Sequence, residues 1–235
     1  NRFGCHGGRE RPRTELVRSG DVKCGVMKVI GTVGLPGSGK GEAAAVAREA
    51  DVPVVTMGDV IRAACRERGL DPAEHHGEMA KTLREENGPA AIAERSLPLI
   101  EEKLESNDAV LVDGLRSDVE LDSFQAAFGD EFRLVSIEAP FETRAERLLE
   151  RARDDTDLDE EALKEREERE LGFGMGEVMD RADVVVDNTD TLAAFRERIR
   201  AILDDDLAAV ADDEHVEIRQ DNPDAGGNAG EGVSG

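Results

Sequence analysis

The chain has 235 residues, with 54 Asp and Glu against 30 Lys and Arg and a formal net charge of −24. That length holds one domain with a full core plus tails, and so negative a surface argues against nucleic acid and anionic membranes as partners, since both attract basic patches. The apolar runs are strand-length, too short to cross a bilayer, and Cys5, Cys24 and Cys65 show neither zinc-ligand spacing nor a disulfide framework, so a reducing cytoplasm is the expected compartment.

Residues 1–26 carry six basic and three acidic residues and lack the apolar stretch of a secretory signal. Met27 stands directly before the first strand and is read as the natural start, with 1–26 a non-native or disordered extension. A basic arm that binds a partner is the alternative. Over 27–203, short β-branched runs alternate with helical stretches. Strands are predicted over 28–33, 53–56, 109–112, 132–138 and 183–186, and helices over 40–49, 58–68, 72–86, 89–105, 118–127, 141–152, 159–170 and 191–203. Nearly unbroken apolar strands imply a sheet buried on both faces. The expected fold is therefore α/β, a three-layer sandwich around a five-stranded parallel sheet. The helical segment 58–105 forms an insertion suited to covering a substrate. Residues 204–235, rich in Asp, Gly, Ala and Asn without periodicity, are expected to be a disordered acidic tail.

The first strand runs into Gly34-Leu35-Pro36-Gly37-Ser38-Gly39-Lys40-Gly41 and then into a helix. In that context G-x-x-x-x-G-K marks a phosphate-binding loop, the Walker A element of ATP-binding proteins. Glycines let the backbone wrap an anion with its N–H groups inward, and the helix N-terminus adds partial positive charge. Lys40 supplies a mobile point charge for the β- and γ-phosphates. Gly41 stands where Ser or Thr usually holds Mg²⁺, so the metal is expected on water and phosphate oxygens. An ordinary Gly-rich turn is the plainer reading.

Ligands of open α/β sheets bind at the carboxyl ends of the strands. The second strand is followed by Thr56-Met57-Gly58-Asp59-Val60-Ile61-Arg62 and the third by Asp113-Gly114-Leu115-Arg116. The fourth leads into a helix carrying Arg144, Arg147 and Arg151. Each crossover thus brings an acid, an arginine or both to one rim. Phosphoryl transfer, which is mainly positioning and charge neutralisation, needs such a set.

These segments resemble the small-molecule P-loop kinases of the adenylate kinase and dephospho-CoA kinase kind. Gly37-Ser38-Gly39-Lys40-Gly41 looks like the adenylate kinase loop. Thr56 to Arg62 is similar to that family's T-G-D-M-L-R with Met57 added, and Asp113-Gly114-Leu115-Arg116 resembles its D-G-F-P-R, one residue shorter. Ala182-Asp183-Val184-Val185-Val186-Asp187-Asn188 resembles the A-D-V-V-I-D-N of dephospho-CoA kinase. The resemblance spans about 27–203 and suggests an archaeal, haloarchaeal branch of these P-loop NTPases distinct from both named enzymes.

The resemblance implies ATP and Mg²⁺ as cofactors and transfer of the γ-phosphoryl group to a small phosphate-bearing acceptor. A mononucleotide, dephospho-CoA or another phosphorylated metabolite fits that description. Arg62 and Arg116 would grip the acceptor's phosphate, and Asp59 would orient the acceptor or the metal's water shell. Asp113 would hold Mg²⁺ through water as a Walker-B-like acid. Arg147 and Arg151, four apart on one helix face, would touch the donor nucleotide and its γ-phosphate. Arg153 and Arg166 are candidate lid arginines in a segment near 150–172. Gly172, Gly174 and Gly176 serve either as its hinge or as a helix stop.

Plainer readings stand beside these. Arg144 and Arg147 suit helix-face ion pairs with Glu142, Glu146 or Glu150, and Asp59 suits a helix N-cap. Asp113 suits a strand-terminal turn, and Cys65 a small buried filler. His75 and His76 are expected exposed on the insertion, and Glu165–Glu170 is expected to be a solvated, salt-bridged face. At the level of function the alternatives are an ATP-hydrolysing regulatory switch that signals to a protein partner, and an ATP-binding module without chemistry.

Only six of the basic residues are Lys, and Trp and Tyr are absent. With the net charge, this resembles the proteins of extreme halophiles, in which molar salt screens self-repulsion. The far-UV circular dichroism of the fold is expected to strengthen as KCl rises toward molar levels; a spectrum already complete and unchanged in dilute buffer contradicts halophily.

Overall fold

A computed structural model describes residues 28–151, 160–172 and 174–219. The extension 1–26, the side chain of Arg151, residue Arg153 and the tail from 220 onward lie outside the described residues. The chain runs β1 (Lys28–Val33), α1 (Lys40–Glu49), β2 (Val54–Thr56), α2 (Met57–Glu67), α3 (Pro72–Asn87), α4 (Ala91–Leu104), β3 (Ala109–Asp113) and α5 (Asp118–Phe128). There follow β4 (Phe132–Glu138), α6 (Phe141–Arg151), α7 (Glu160–Gly172), α8 (Met175–Asp180), β5 (Val184–Asp187), α9 (Leu192–Leu203) and β6 (Val216–Ile218).

The strands lie in the order β2-β3-β1-β4-β5-β6, and all pair in parallel except β6, which is antiparallel to β5. Alternating side chains go to opposite faces of the sheet. Val29, Val33, Val110, Val112 and Leu134 join one core with the apolar sides of α2–α5 and α8. Ile30, Leu111, Val135, Ile137 and Val186 join the other with α1 and α9. This is the three-layer α/β arrangement that two-sided apolar strands demand. β1 is central, and the chain crosses to β2 and β3 on one side before returning to β4 and β5 on the other. The rim beyond β1 is thus the point where strand order reverses, where ligands of such sheets bind.

Two expectations change. The sheet has six strands, and residues 204–219 are structured: a 3-10 turn at Leu207–Val210 and β6 pack Val210 and Val216 into the second core. Arg198, 5% exposed, fixes this return by donating from Nε to Asp213 Oδ2 at 2.7 Å and from Nη2 to Asp190 Oδ2 at 3.1 Å. The Asp-rich composition hides a strand of three residues. The short helix α8 was also not foreseen; Gly174, at φ 90°, is its N-cap and takes the left-handed conformation that glycine tolerates. Among the described residues no helix is long and apolar enough to cross a membrane.

The turn between β3 and α5 carries Arg116, and a buried carboxylate fixes it. Ser117 caps α5 by accepting from the Glu120 N–H at 3.3 Å, the Ser-x-x-Glu pattern of a capping box. Glu120, fully buried, accepts the Arg116 backbone N–H on Oε2 and Arg84 Nη2 of α3 on Oε1, each at 3.0 Å. Arg84, 34% exposed, can turn to water when Glu120 is removed, so the cost falls mainly on the Arg116 N–H. Glu120→Ala is therefore expected to lower the unfolding free energy by about 1–3 kcal/mol in urea titration, and a loss below about 0.5 kcal/mol contradicts this role.

Candidate phosphate-transfer site

The loop after β1 follows a path that side chains would block. A Cβ on Gly34 would come 2.3 Å from the Ile137 carbonyl oxygen, and one on Gly37 2.7 Å from that of Arg144. One on Gly39 would meet Asn188 Nδ2 at 2.3 Å, and all three glycines have positive φ. α1 then starts at Lys40 with Gly39 at the cap position and no side chain capping it, so its first N–H groups face the loop. Lys40 Nζ donates to the Gly34 carbonyl and, at 3.3 Å, to that of Leu35. Burial pulls the Lys40 ammonium below the ordinary lysine range; Asp113 and Glu170 oppose that shift, and Arg116 and Arg166 add to it. Ser38 Oγ is buried without a hydrogen-bond partner among the described residues. Glycine backbone, an open helix N-terminus, a half-buried ammonium and an unpartnered hydroxyl are the donor set of a phosphate site.

In front of the loop lies a cavity of about 300 Å³ into which Lys40, Asp113, Arg62, Arg116, Arg166 and Glu170 converge. Asp113 ends β3 beside Thr32 of β1, whose hydroxyl donates to Asp113 Oδ1 at 3.1 Å. The carboxylate is thus aimed at the loop. Gly41 is exposed and a Cβ there would meet nothing within 4 Å, so its departure from Ser or Thr has no steric cause. Glu42 is engaged by Arg196 at 2.7 Å. Asp113 and Glu170 are the carboxylates lining this cavity, and the described residues contain no cluster of three or more His, Cys, Asp or Glu that could hold a metal by themselves.

The N-cap of α2 is Thr56, which accepts the Asp59 N–H at 3.1 Å; Asp59 is not the cap. Asp59 instead takes the Thr56 hydroxyl and two Arg62 donors, Nε at 3.0 Å and Nη2 at 2.7 Å. Burial would raise its carboxyl, but the bonds from Thr56 and Arg62 outweigh this and hold it below the usual range. Asp59 is exposed and outside the cavity lining, so its visible work is to aim Arg62.

Arg147 of α6 reaches the Asn188 carbonyl at 2.8 Å, while Asn188 Nδ2 donates to the Ser38 carbonyl at 2.7 Å. Together with Gly39, Glu42 and Leu192 they line a second cavity of about 240 Å³ on the other side of the loop. Arg151 ends α6, and Arg166 faces the main cavity from α7.

Three plainer readings are corrected. Arg144 is 5% exposed and not a solvated helix-face partner: it donates to Ala139 O at 2.8 Å, to Pro36 O of the loop at 3.2 Å and to Glu167 of α7 at 2.7 Å. Glu170 is buried, not solvated, and lies 3.2 Å from Arg116. His76 is half-buried and lines the main cavity; burial, then Arg62 and Arg116, lowers its pKa and favours the neutral ring. None of these burials leaves a local signal, because each comes from contacts distant in sequence.

Comparison with known proteins agrees with this fold. A family model described as an AAA domain matches residues 33–164. A UPF0200 protein of Halobacterium salinarum is 55% identical over 192 residues, covering 82% of this chain and 97% of that protein. A UPF0200 protein of Methanosarcina mazei is 42% identical over 185 residues, covering 78% and 98%. The crystal structure of TT1252 from Thermus thermophilus superposes with a TM-score of 0.55 at 21% identity, over 77% of this chain and 98% of that one, a likeness of fold. With its glycine loop, Walker lysine and reversing parallel sheet, the chain belongs to the UPF0200 family of archaeal P-loop proteins.

Proposed function

We propose that the protein is an ATP-dependent phosphotransferase of the adenylate kinase and dephospho-CoA kinase kind, moving the γ-phosphoryl group of ATP to a small phosphate-bearing acceptor. The observation that carries this reading is the convergence of Arg62, Arg116 and Arg166, from three different elements, on the cavity that also holds Lys40 and Asp113. One cationic loop binds a nucleotide's phosphates; a further set of arginines facing it is the equipment for a second anion.

In this reading the loop N–H groups and Lys40 hold the β- and γ-phosphates. Arg147 and Asn188 place the nucleoside end in the second cavity. Arg62, aimed by Asp59, and Arg116, fixed by Glu120, orient the acceptor, and Arg166 with Arg151 neutralises charge developing on the transferred group. Mg²⁺ would supply neutralisation of the phosphates' negative charge. Asp113 would hold its water shell. α7 covers the cavity and limits water, which would otherwise take the phosphoryl group.

Gly41 and the short Asp113-Gly114-Leu115-Arg116 segment speak only for an ATP-binding module without chemistry; a regulatory ATP-hydrolysing switch is the second reading. It requires no acceptor grip. Steady-state kinetics separate the two. Arg116→Ala is expected to raise the acceptor KM about 10- to 100-fold, the worth of a charge-assisted hydrogen bond, with the KM for ATP little changed. Lys40→Ala should lower kcat about 100- to 1,000-fold. An Arg116→Ala protein with unaltered turnover at every acceptor concentration contradicts the kinase reading.

The half-buried ammonium adds a pH signature. A lysine whose pKa is lowered sheds its proton earlier as pH rises, so the phosphate grip weakens on the alkaline side. The alkaline limb of kcat/KM for ATP, which reports the free enzyme, is expected to fall below pH 10.5, the ordinary lysine value. A profile flat through that value contradicts the role given to Lys40.

A further inference from the structure

Glu170 is, with Asp113, one of two carboxylates in a cavity whose other charged side chains are cations. It sits on α7, 8% exposed, one helical turn after Arg166. Its Oε1 lies 3.2 Å from Arg116 Nη1, whereas its Oε2 is buried and has no hydrogen-bond partner among the described residues. Its charge also reaches Lys40. Buried carboxylates ordinarily have both oxygens satisfied, so Glu170 is held where it is by a single long contact. The guanidinium it meets is 45% exposed and therefore open to a competitor.

Resting on the phosphotransferase reading, we propose that Glu170 is a specificity-determining residue: it occupies Arg116 in place of the acceptor's anionic group and yields that arginine to a phosphate monoester but not to a carboxylate. A phosphate brings nearly two charges and three acceptor oxygens, whereas Glu170 offers one charge with one oxygen unpartnered. Phosphate therefore displaces it. A carboxylate ligand offers Arg116 nothing that Glu170 does not already give. The cost of the exchange falls on a weak contact, because α7 keeps a second tether: Glu167, three residues earlier, remains on Arg144 at 2.7 Å. Without an acceptor, Glu170 neutralises Arg116 and leaves the cavity poorly set for attack by water on the donor.

The test reads anion binding without ATP. Inorganic phosphate and acetate are titrated calorimetrically into the full chain in molar KCl, for the wild type, Glu170→Gln and Glu170→Gln with Arg116→Ala. Removal of one like charge at contact distance is worth about 1 kcal/mol, so Glu170→Gln should bind phosphate about fivefold more tightly. Acetate should gain more than phosphate, which narrows the preference for phosphate, and Arg116→Ala should abolish both gains; an acetate gain no larger than that of phosphate overturns the role in specificity. Phosphate affinity that is unchanged or weaker in Glu170→Gln overturns the proposal, as does a gain that survives Arg116→Ala. Should Glu170→Gln fail to fold, Glu170→Asp keeps the charge but shortens the reach to Arg116, and the same results decide. A chain that behaves as expected here yet transfers no phosphoryl group removes the kinase reading and not the role of Glu170.

Discussion

The geometry of the site depends on one steric constraint: the loop after β1 passes so close to its neighbours that only glycine fits. Gly34 lies against the end of β4, Gly37 against the first turns of α6, and Gly39 against Asn188 beyond β5. Each contact joins the loop to a different strand or helix on the β4–β5 side of the sheet. The loop is thus a backbone seam between β1 and everything that follows β3. Its N–H groups are presented by position, not by any side chain. The same closeness lets Arg144 bond to Pro36 O and Asn188 bond to Ser38 O, so the cradle is braced from outside while its inner face stays open.

Charge is organised around that seam in an unusual way for so acidic a chain. The cations at the rim are almost all arginines, and three of them are held by an acid: Arg62 by Asp59, Arg144 by Glu167, Arg116 by Glu170. At molar salt the screening length falls to about 3 Å, so long-range attraction of an anionic substrate contributes little. What remains is contact-distance, bidentate hydrogen bonding, which guanidinium does better than ammonium. Pre-placing each guanidinium with a carboxylate lowers the entropy lost on binding. It also explains why acids line a cavity rich in arginines.

The sheet and the loop were legible in the sequence because their signals are local. Apolar runs buried on both faces leave no room for another pattern, and the spacing of Gly34, Gly39 and Lys40 states its own geometry. Thr56, Asp59 and Arg62 were legible as a group, though the exchange of roles between Thr56 as cap and Asp59 as the aim of Arg62 needed coordinates. Contacts distant in sequence were not legible. Arg144 and Glu170 look like members of charged helical faces, and only the docking of α6 and α7 on the loop buries them. Glu120 reads as an acid in the first turn of α5, yet nothing local says that its carboxylate meets Arg84, 36 residues earlier. Strand β6 failed for a different reason: three residues within an acidic stretch are too few for periodicity to register.

The central claim is that the arginine-lined cavity receives a second substrate. The most direct measurement follows the label of γ-labelled ATP with Mg²⁺ in high KCl, in the presence of AMP, CMP, UMP, dephospho-CoA or water alone, and separates the products. The account predicts a labelled organic product with one phosphate-bearing acceptor. Label appearing only as inorganic phosphate, at a rate that no acceptor changes, would contradict it and point to the hydrolytic switch.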